Sequence, residues 1–138
     1  MFSSLADASS GKQELRPWFH TSSMLCHMFK KGNVVYTTNA NDPETDETFR
    51  SIATRNHEGT QGGIVAVNAG LKPVEKTFKM DERVRGDKLY VYMFNAEDYR
   101  LDRDGYIIPN YVVDGSLNGE LTITVPNSTA VFISNERL

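Results

Sequence analysis

Lys88-Leu-Tyr-Val-Tyr-Met-Phe94 is β-branched and aromatic, contains no Gly or Pro, and is apolar on both faces. At the strand period of two, Leu89, Val91 and Met93 point one way and Tyr90, Tyr92 and Phe94 the other. A strand with one wet face alternates apolar and polar residues, and this one does not. It reads as a central strand with something covering each side.

One cover is supplied by the other strands. From Gly32 onward the pattern is strand and turn, with strands expected over 33–38, 49–55, 62–68, 73–80, 87–94, 106–113, 119–125 and 129–135. Turn-forming clusters separate them: Asn39–Asp46, Asn56–Gly62, Gly70, Asp81–Gly86, Asn95–Gly105, Asp114–Gly119 and Pro126-Asn127. Leu121, Ile123 and Val125 alternate with Thr122 and Thr124, as one buried face requires, whereas Gly63-Ile-Val-Ala-Val67 is apolar on both faces. Strands at short spacing with no helix between them argue for an antiparallel sandwich. The expected fold is all-β, an antiparallel β-sandwich of about eight strands of jelly-roll or Greek-key type, preceded by one amphipathic α-helix.

That helix is expected over 17–31. Pro17 suits a first helical position, and Lys30, Lys31 and Gly32 supply a basic last turn and a stop. Turned at 100° per residue, Trp18, Leu25, Met28 and Phe29 share one side, flanked by Phe19, Met24 and Cys26. His20, Ser23, His27 and the two lysines lie opposite, so both histidines are expected in solvent and the Cys26 thiol in the core. The apolar arc exceeds half the circumference, more than one surface needs, so the helix expects two neighbours. The chain divides into a lead-in and helix, 1–31, and a sandwich, 32–138.

Composition excludes several roles. At 138 residues and a formal charge of −3 the chain is one domain with no basic field for nucleic acid or anionic membrane. A single cysteine leaves no internal disulfide. Met1–Ser10 lacks a basic region followed by an apolar run, so no signal peptide is expected, and no apolar run is long enough to span a bilayer.

Asp98, Asp102 and Asp104, with Gly105 behind them, suit a hard cation such as calcium. In EF-hand register, however, Arg100 and Tyr111 fall where the first and last ligands belong, so the alternative is a solvated acidic loop. Adjacent positions keep Cys26 and His27 from facing each other, which removes a Cys/His nucleophile pair. Most Asp and Glu residues fall in turns, and Glu75 between lysines reads as an outward edge, so no acid/base pair can be nominated. No phosphate loop, nucleophile elbow or zinc spacing occurs. Aromatics that could stack on sugar rings are Tyr90, Tyr92, Tyr99, Tyr106 and Tyr111, with packing as the competing use for those in strands. Tyr99 in the long loop is the best placed for a surface role, and Tyr106 at the start of the next strand is the second candidate. Asn127-Ser128-Thr129 fits a glycosylation sequon.

The order of elements carries a resemblance. A helix ending Lys-Lys-Gly-Asn33 is followed by Val34-Val-Tyr-Thr-Thr38, Arg50-Ser-Ile-Ala-Thr54, Gly62-Gly-Ile-Val-Ala-Val-Asn68 and Lys72-Pro-Val-Glu-Lys-Thr-Phe78. The chain closes with Leu121-Thr-Ile-Thr-Val-Pro-Asn-Ser128 and a last apolar strand. This resembles the end of a glycoside hydrolase in which the last helix of a TIM barrel runs into a C-terminal β-sandwich, as in xylosidase-, arabinofuranosidase- and agarase-like families. The resemblance implies a non-catalytic accessory domain that supports a barrel, with the catalytic carboxylates upstream. No cofactor is expected beyond the calcium that Asp98, Asp102 and Asp104 could hold. It also implies a periplasmic or extracellular parent. The expected partner is a catalytic barrel, or a second copy through an apolar face; the alternative is a stand-alone carbohydrate-binding module whose partner is a glycan.

Overall fold

The computed structural model describes residues 17–37, 48–80, 84–95 and 98–138, without the side chains of Pro17, Trp18 and Thr37. The expected lead-in, the Asn39–Asp46 turn, part of the Asp81–Gly86 turn and the place of Trp18 on the helix lie outside the described residues. The elements are α1 (Pro17–Met28), β1 (Val34–Thr37), β2 (Phe49–Arg55), β3 (Gly62–Asn68), β4 (Val74–Phe78), β5 (Lys88–Phe94), β6 (Tyr111–Asp114), β7 (Leu121–Val125) and β8 (Thr129–Ser134). They form an all-β sandwich: a six-stranded antiparallel sheet, ordered β1-β2-β3-β8-β5-β6, faces a two-stranded sheet, β4-β7, with one helix before them.

β5 is covered on both sides, as its composition requires. Leu89 and Val91 enter the core between the sheets with Ile64, Ala66, Phe78, Ile123, Val125, Val131 and Ile133. Tyr92 and Phe94 enter a second core with Met24, Met28, Val65 and Phe132. The second cover is therefore α1, lying on the outer face of the large sheet.

Seating that helix requires space at one point. Met28 lies directly over Gly63, where an added Cβ would collide with its terminal methyl and sit 2.8 Å from the Ile133 carbonyl oxygen. Gly63 thus sets how closely the helix approaches. Its end is fixed by the Gln61 amide, which donates to the His27 carbonyl at 3.2 Å, and by the Asn33 amide, which donates to the Met28 carbonyl at 3.1 Å. Gly32, at φ +88°, makes the left-handed stop. The helix ends at Met28, three residues before the expected bound, because the Gln61 and Asn33 side chains already satisfy the carbonyls of His27 and Met28 and Gly32 turns the backbone away.

The two sheets are tied at Asn68, which is fully buried. Its amide nitrogen lies within hydrogen-bond distance of the carbonyls of Lys72, Val125 and Pro126, and its oxygen accepts from Gly70 N–H at 3.0 Å. One side chain thereby fixes the turn after β3 and the end of β7.

The expected strand 106–113 is realised only as β6. Pro109 has no N–H to give a ladder, and Asn110 replaces the pairing, its side-chain oxygen accepting from Met93 N–H at 2.8 Å while its own N–H donates to Val91. Glu75 faces outward as expected, but Lys76 on the neighbouring position turns its ammonium over the Phe49 ring, 5.2 Å from its centroid.

Gly63→Ala is expected to destabilise the fold by about 1–3 kcal/mol through overpacking, read as a lowered denaturant midpoint. Combining it with Met28→Ala should cost less than the sum of the two single changes, because the two groups compete for one space. Additive losses would show that the helix is not held at Gly63.

Candidate functional site

α1 crosses the sheet diagonally. Near its start His20 meets the Tyr99 ring at 5.2 Å, and Tyr99 stacks on Phe94, at the far end of β5, at 4.9 Å. At its end Met28 sits over Gly63, at the opposite end of the pairing ladder. The crossing divides this face of the sheet into two regions of different chemistry.

On the β5 side a groove of about 760 Å³ opens between the helix and the segment 99–107. The helix supplies Phe19, His20, Ser23 and His27, the segment Tyr99, Leu101, Asp104, Tyr106 and Ile107, and Leu138 adds a further wall. Leu138 is held there by its N–H, which donates to the Tyr92 hydroxyl at 2.9 Å; burial pushes that phenol's pKa up.

The segment is a small hairpin built by an aspartate. Leu101 and Ile107 bridge its arms, and the Asp102 carboxylate accepts from the N–H groups of Asp104 at 2.9 Å and Tyr106 at 3.0 Å. Gly105, at φ +86°, closes the turn. The turn leaves Tyr106 72% exposed, while Tyr99 is half-buried under His20. The two candidate sugar-stacking residues thus line one groove with different roles: Tyr99 anchors the hairpin and Tyr106 projects its ring.

Of the acidic candidates, Asp102 organises the turn, Asp104 lines the groove and Asp98 lies exposed beside the backbone pairing with Asn95. Among the described residues no three His, Cys, Asp or Glu side chains are grouped closely enough to hold a metal ion.

The helix presents a different stripe to the sheet from the one expected. His20, Met24 and Met28, each four residues apart, are buried, whereas Leu25 and Cys26 are exposed. The expectation that His20 is solvated and Cys26 buried is therefore corrected: His20 is only 4% exposed and the thiol faces outward. The physical reason is the width of the apolar arc, of which the sheet takes one edge and recruits His20 beside it. His27 remains exposed, its Nδ1 2.7 Å from the Ser23 carbonyl oxygen.

On the β1 side the sheet is bare. Cross-strand partners share a face, and the register Ile52↔Val65, Val67↔Ala130 and Val35↔Thr54 places Val35, Ile52 and Val67 on the helix-bearing face here, while Tyr90↔Val112 puts Val112 on the same face at the far β6 edge. These four and Leu25 of the helix are each between 38% and 52% exposed. Among the described strands, no large apolar residue of the opposite face is left as open.

No family model matches the chain, and no curated protein is similar to it in sequence. Solved structures share its fold. A GH30 endoxylanase from Clostridium papyrosolvens C71 matches 95% of this chain at 14% identity with a TM-score of 0.65. The glycoside hydrolase family 30 subfamily 8 xylanase Xyn30A from Clostridium acetobutylicum matches 96% at 13% identity and 0.67. Each match covers 30% of the hydrolase chain. Cel44A, a family 44 endoglucanase from Clostridium thermocellum, matches 65% of this chain at 21% identity and 0.51, over 17% of its own length. The fold is therefore one that glycoside hydrolases carry as a minor part of a longer polypeptide. Among the described residues no helix is long and apolar enough to cross a membrane.

Burial lowers the His20 pKa from its ordinary value, so the folded state holds the neutral imidazole and the unfolded chain takes up the proton more readily. The contribution to stability is full above the unfolded value of 6.5 and is lost as pH falls below it. Thermal melts between about pH 7.5 and 5.5 should show the midpoint falling with acidity, and His20→Leu should flatten that slope. Equal slopes in the two proteins would contradict the placement.

Proposed function

We propose that this chain is a non-catalytic accessory β-sandwich of a glycoside hydrolase, packed against its catalytic domain through the helix-bearing face. The observation that carries the reading is the one-sided exposure of Val35, Ile52 and Val67 together with Leu25. Scattered apolar residues on a surface are ordinary, but their confinement to one face of a sheet marks an interface. That structures of this fold occupy 30% or less of their hydrolase chains supports a domain of the same polypeptide as the occupant. Within that class the order of elements along the sequence supports a xylosidase-, arabinofuranosidase- or agarase-like parent.

The reading also accounts for the helix. Its sheet-facing stripe is His20, Met24 and Met28, and Leu25 lies 100° round from Met24 on the flank away from His27. Leu25 therefore extends the apolar surface of β1, β2 and β3 rather than the groove. The wide apolar arc expected to need two neighbours has one in the sheet and the second in the docked domain.

The isolated chain is expected to self-associate or to bind an apolar dye such as anilinonaphthalene sulfonate. Ile52→Glu combined with Val67→Glu should suppress both, with little change in melting temperature because both positions are already open to solvent. A wild-type chain that sediments as a monomer and binds no dye would contradict the proposal.

A further inference from the structure

We infer that the groove between α1 and the 99–107 hairpin is a binding subsite for neutral, uncharged pyranose or pentose units of an oligosaccharide. Its size, about 760 Å³, falls within the range of roughly 300–1,000 Å³ usual for small-ligand sites. Three features identify the ligand class. The first is an aromatic surface free to be covered: Tyr106 is 72% exposed on a hairpin whose turn is fixed by the Asp102 carboxylate, so its ring is presented at little further cost in order. A phenol ring offers the negative face of its π-system to the polarised C–H groups of a sugar ring.

The second is the set of polar groups that line the same groove. Ser23 provides a hydroxyl, His27 an imidazole and Asp104 a carboxylate, so both donors and acceptors line the groove. A sugar hydroxyl uses both, whereas a purely apolar ligand would leave them stripped of water and unpaired. The third is charge. Among the described lining residues there is no lysine or arginine, and Asp104 is acidic. Phosphorylated ligands and uronic acids would meet a carboxylate with no cation to compensate it. Neutral sugars satisfy all three features.

The groove is separate from the bare β1 side, so the domain can dock on one half of its outer face and hold a glycan beside α1 on the other. The inference does not rest on the docking proposal. A chain carrying Ile52→Glu and Val67→Glu should bind sugar as the wild type does.

Isothermal titration with xylohexaose, cellohexaose and tetragalacturonic acid tests it. At least one neutral hexaose should bind in the micromolar-to-millimolar range, with tetragalacturonic acid much weaker. Tyr106→Ala should weaken the neutral ligand about tenfold or more, Tyr106→Phe should leave it nearly unchanged, and Asp104→Asn should weaken it while improving acceptance of the acidic ligand. Tyr106 is the chosen position because its exposure lets the alanine variant fold, whereas Tyr99→Ala would remove the stack on Phe94. No binding of either neutral hexaose, equal binding by wild type and Tyr106→Ala, or tetragalacturonic acid bound as tightly as the neutral ligands would each overturn the assignment.

Discussion

The structure depends on burying β5 and β8 on both faces. Val131 and Ile133 go into the core between the sheets, Phe132 into the core beneath the helix, and Leu89, Val91, Tyr92 and Phe94 are divided the same way. Each of these large side chains contributes roughly 1.5–3 kcal/mol when removed from water. The sheet is therefore incomplete without a cover on its outer side, and α1 is that cover. Unlike a helix within a bundle, α1 takes its position from the sheet: Met28 over Gly63 at one end, His20 against Tyr99 at the other.

Because the helix is short and crosses diagonally, it covers only part of what needs covering. Its 12 residues extend about 18 Å, while six strands at about 4.8 Å spacing make a wider surface. The β1–β2–β3 half keeps Val35, Ile52 and Val67 open, and the β5 half is roofed instead by the hairpin that Asp102 organises. The bare half is the one proposed to meet the catalytic domain. The roofed half, with an exposed tyrosine and groups that can donate and accept, is the one inferred to hold a ligand.

Much of the fold was legible because the strands follow period two so cleanly. Lys88–Phe94 and Gly62–Asn68 showed their two-sided burial, and Leu121–Val125 its alternation, in sequence alone. What failed was the rotation of the helix. Hydrophobicity favoured a stripe through Leu25 and Cys26, but with an arc apolar over more than half its circumference no local pattern decides which edge meets the sheet. The glycine at position 63, which receives Met28, decides it, and that contact is 35 residues away in the chain. The site was legible only in parts. Tyr99, Asp102, Asp104 and Tyr106 lie together in the hairpin with Asp98 outside it, but Phe19, Ser23 and His27 join the groove only through packing of α1 on the sheet. The spacing from Asp102 to Asp104 and Tyr106, with Gly105 in the turn, was the available signal that the aspartate organises a turn.

The central claim is that the helix-bearing face is buried against another domain of the same polypeptide. Hydroxyl-radical footprinting tests it most directly, comparing the isolated chain with the polypeptide purified from its natural source. The account predicts that Leu25, Ile52 and Val67 are labelled in the isolated chain and protected in the natural polypeptide, while Leu71, 93% exposed on the loop after β3, is labelled equally in both. Equal labelling of Leu25, Ile52 and Val67 in the two samples would contradict it.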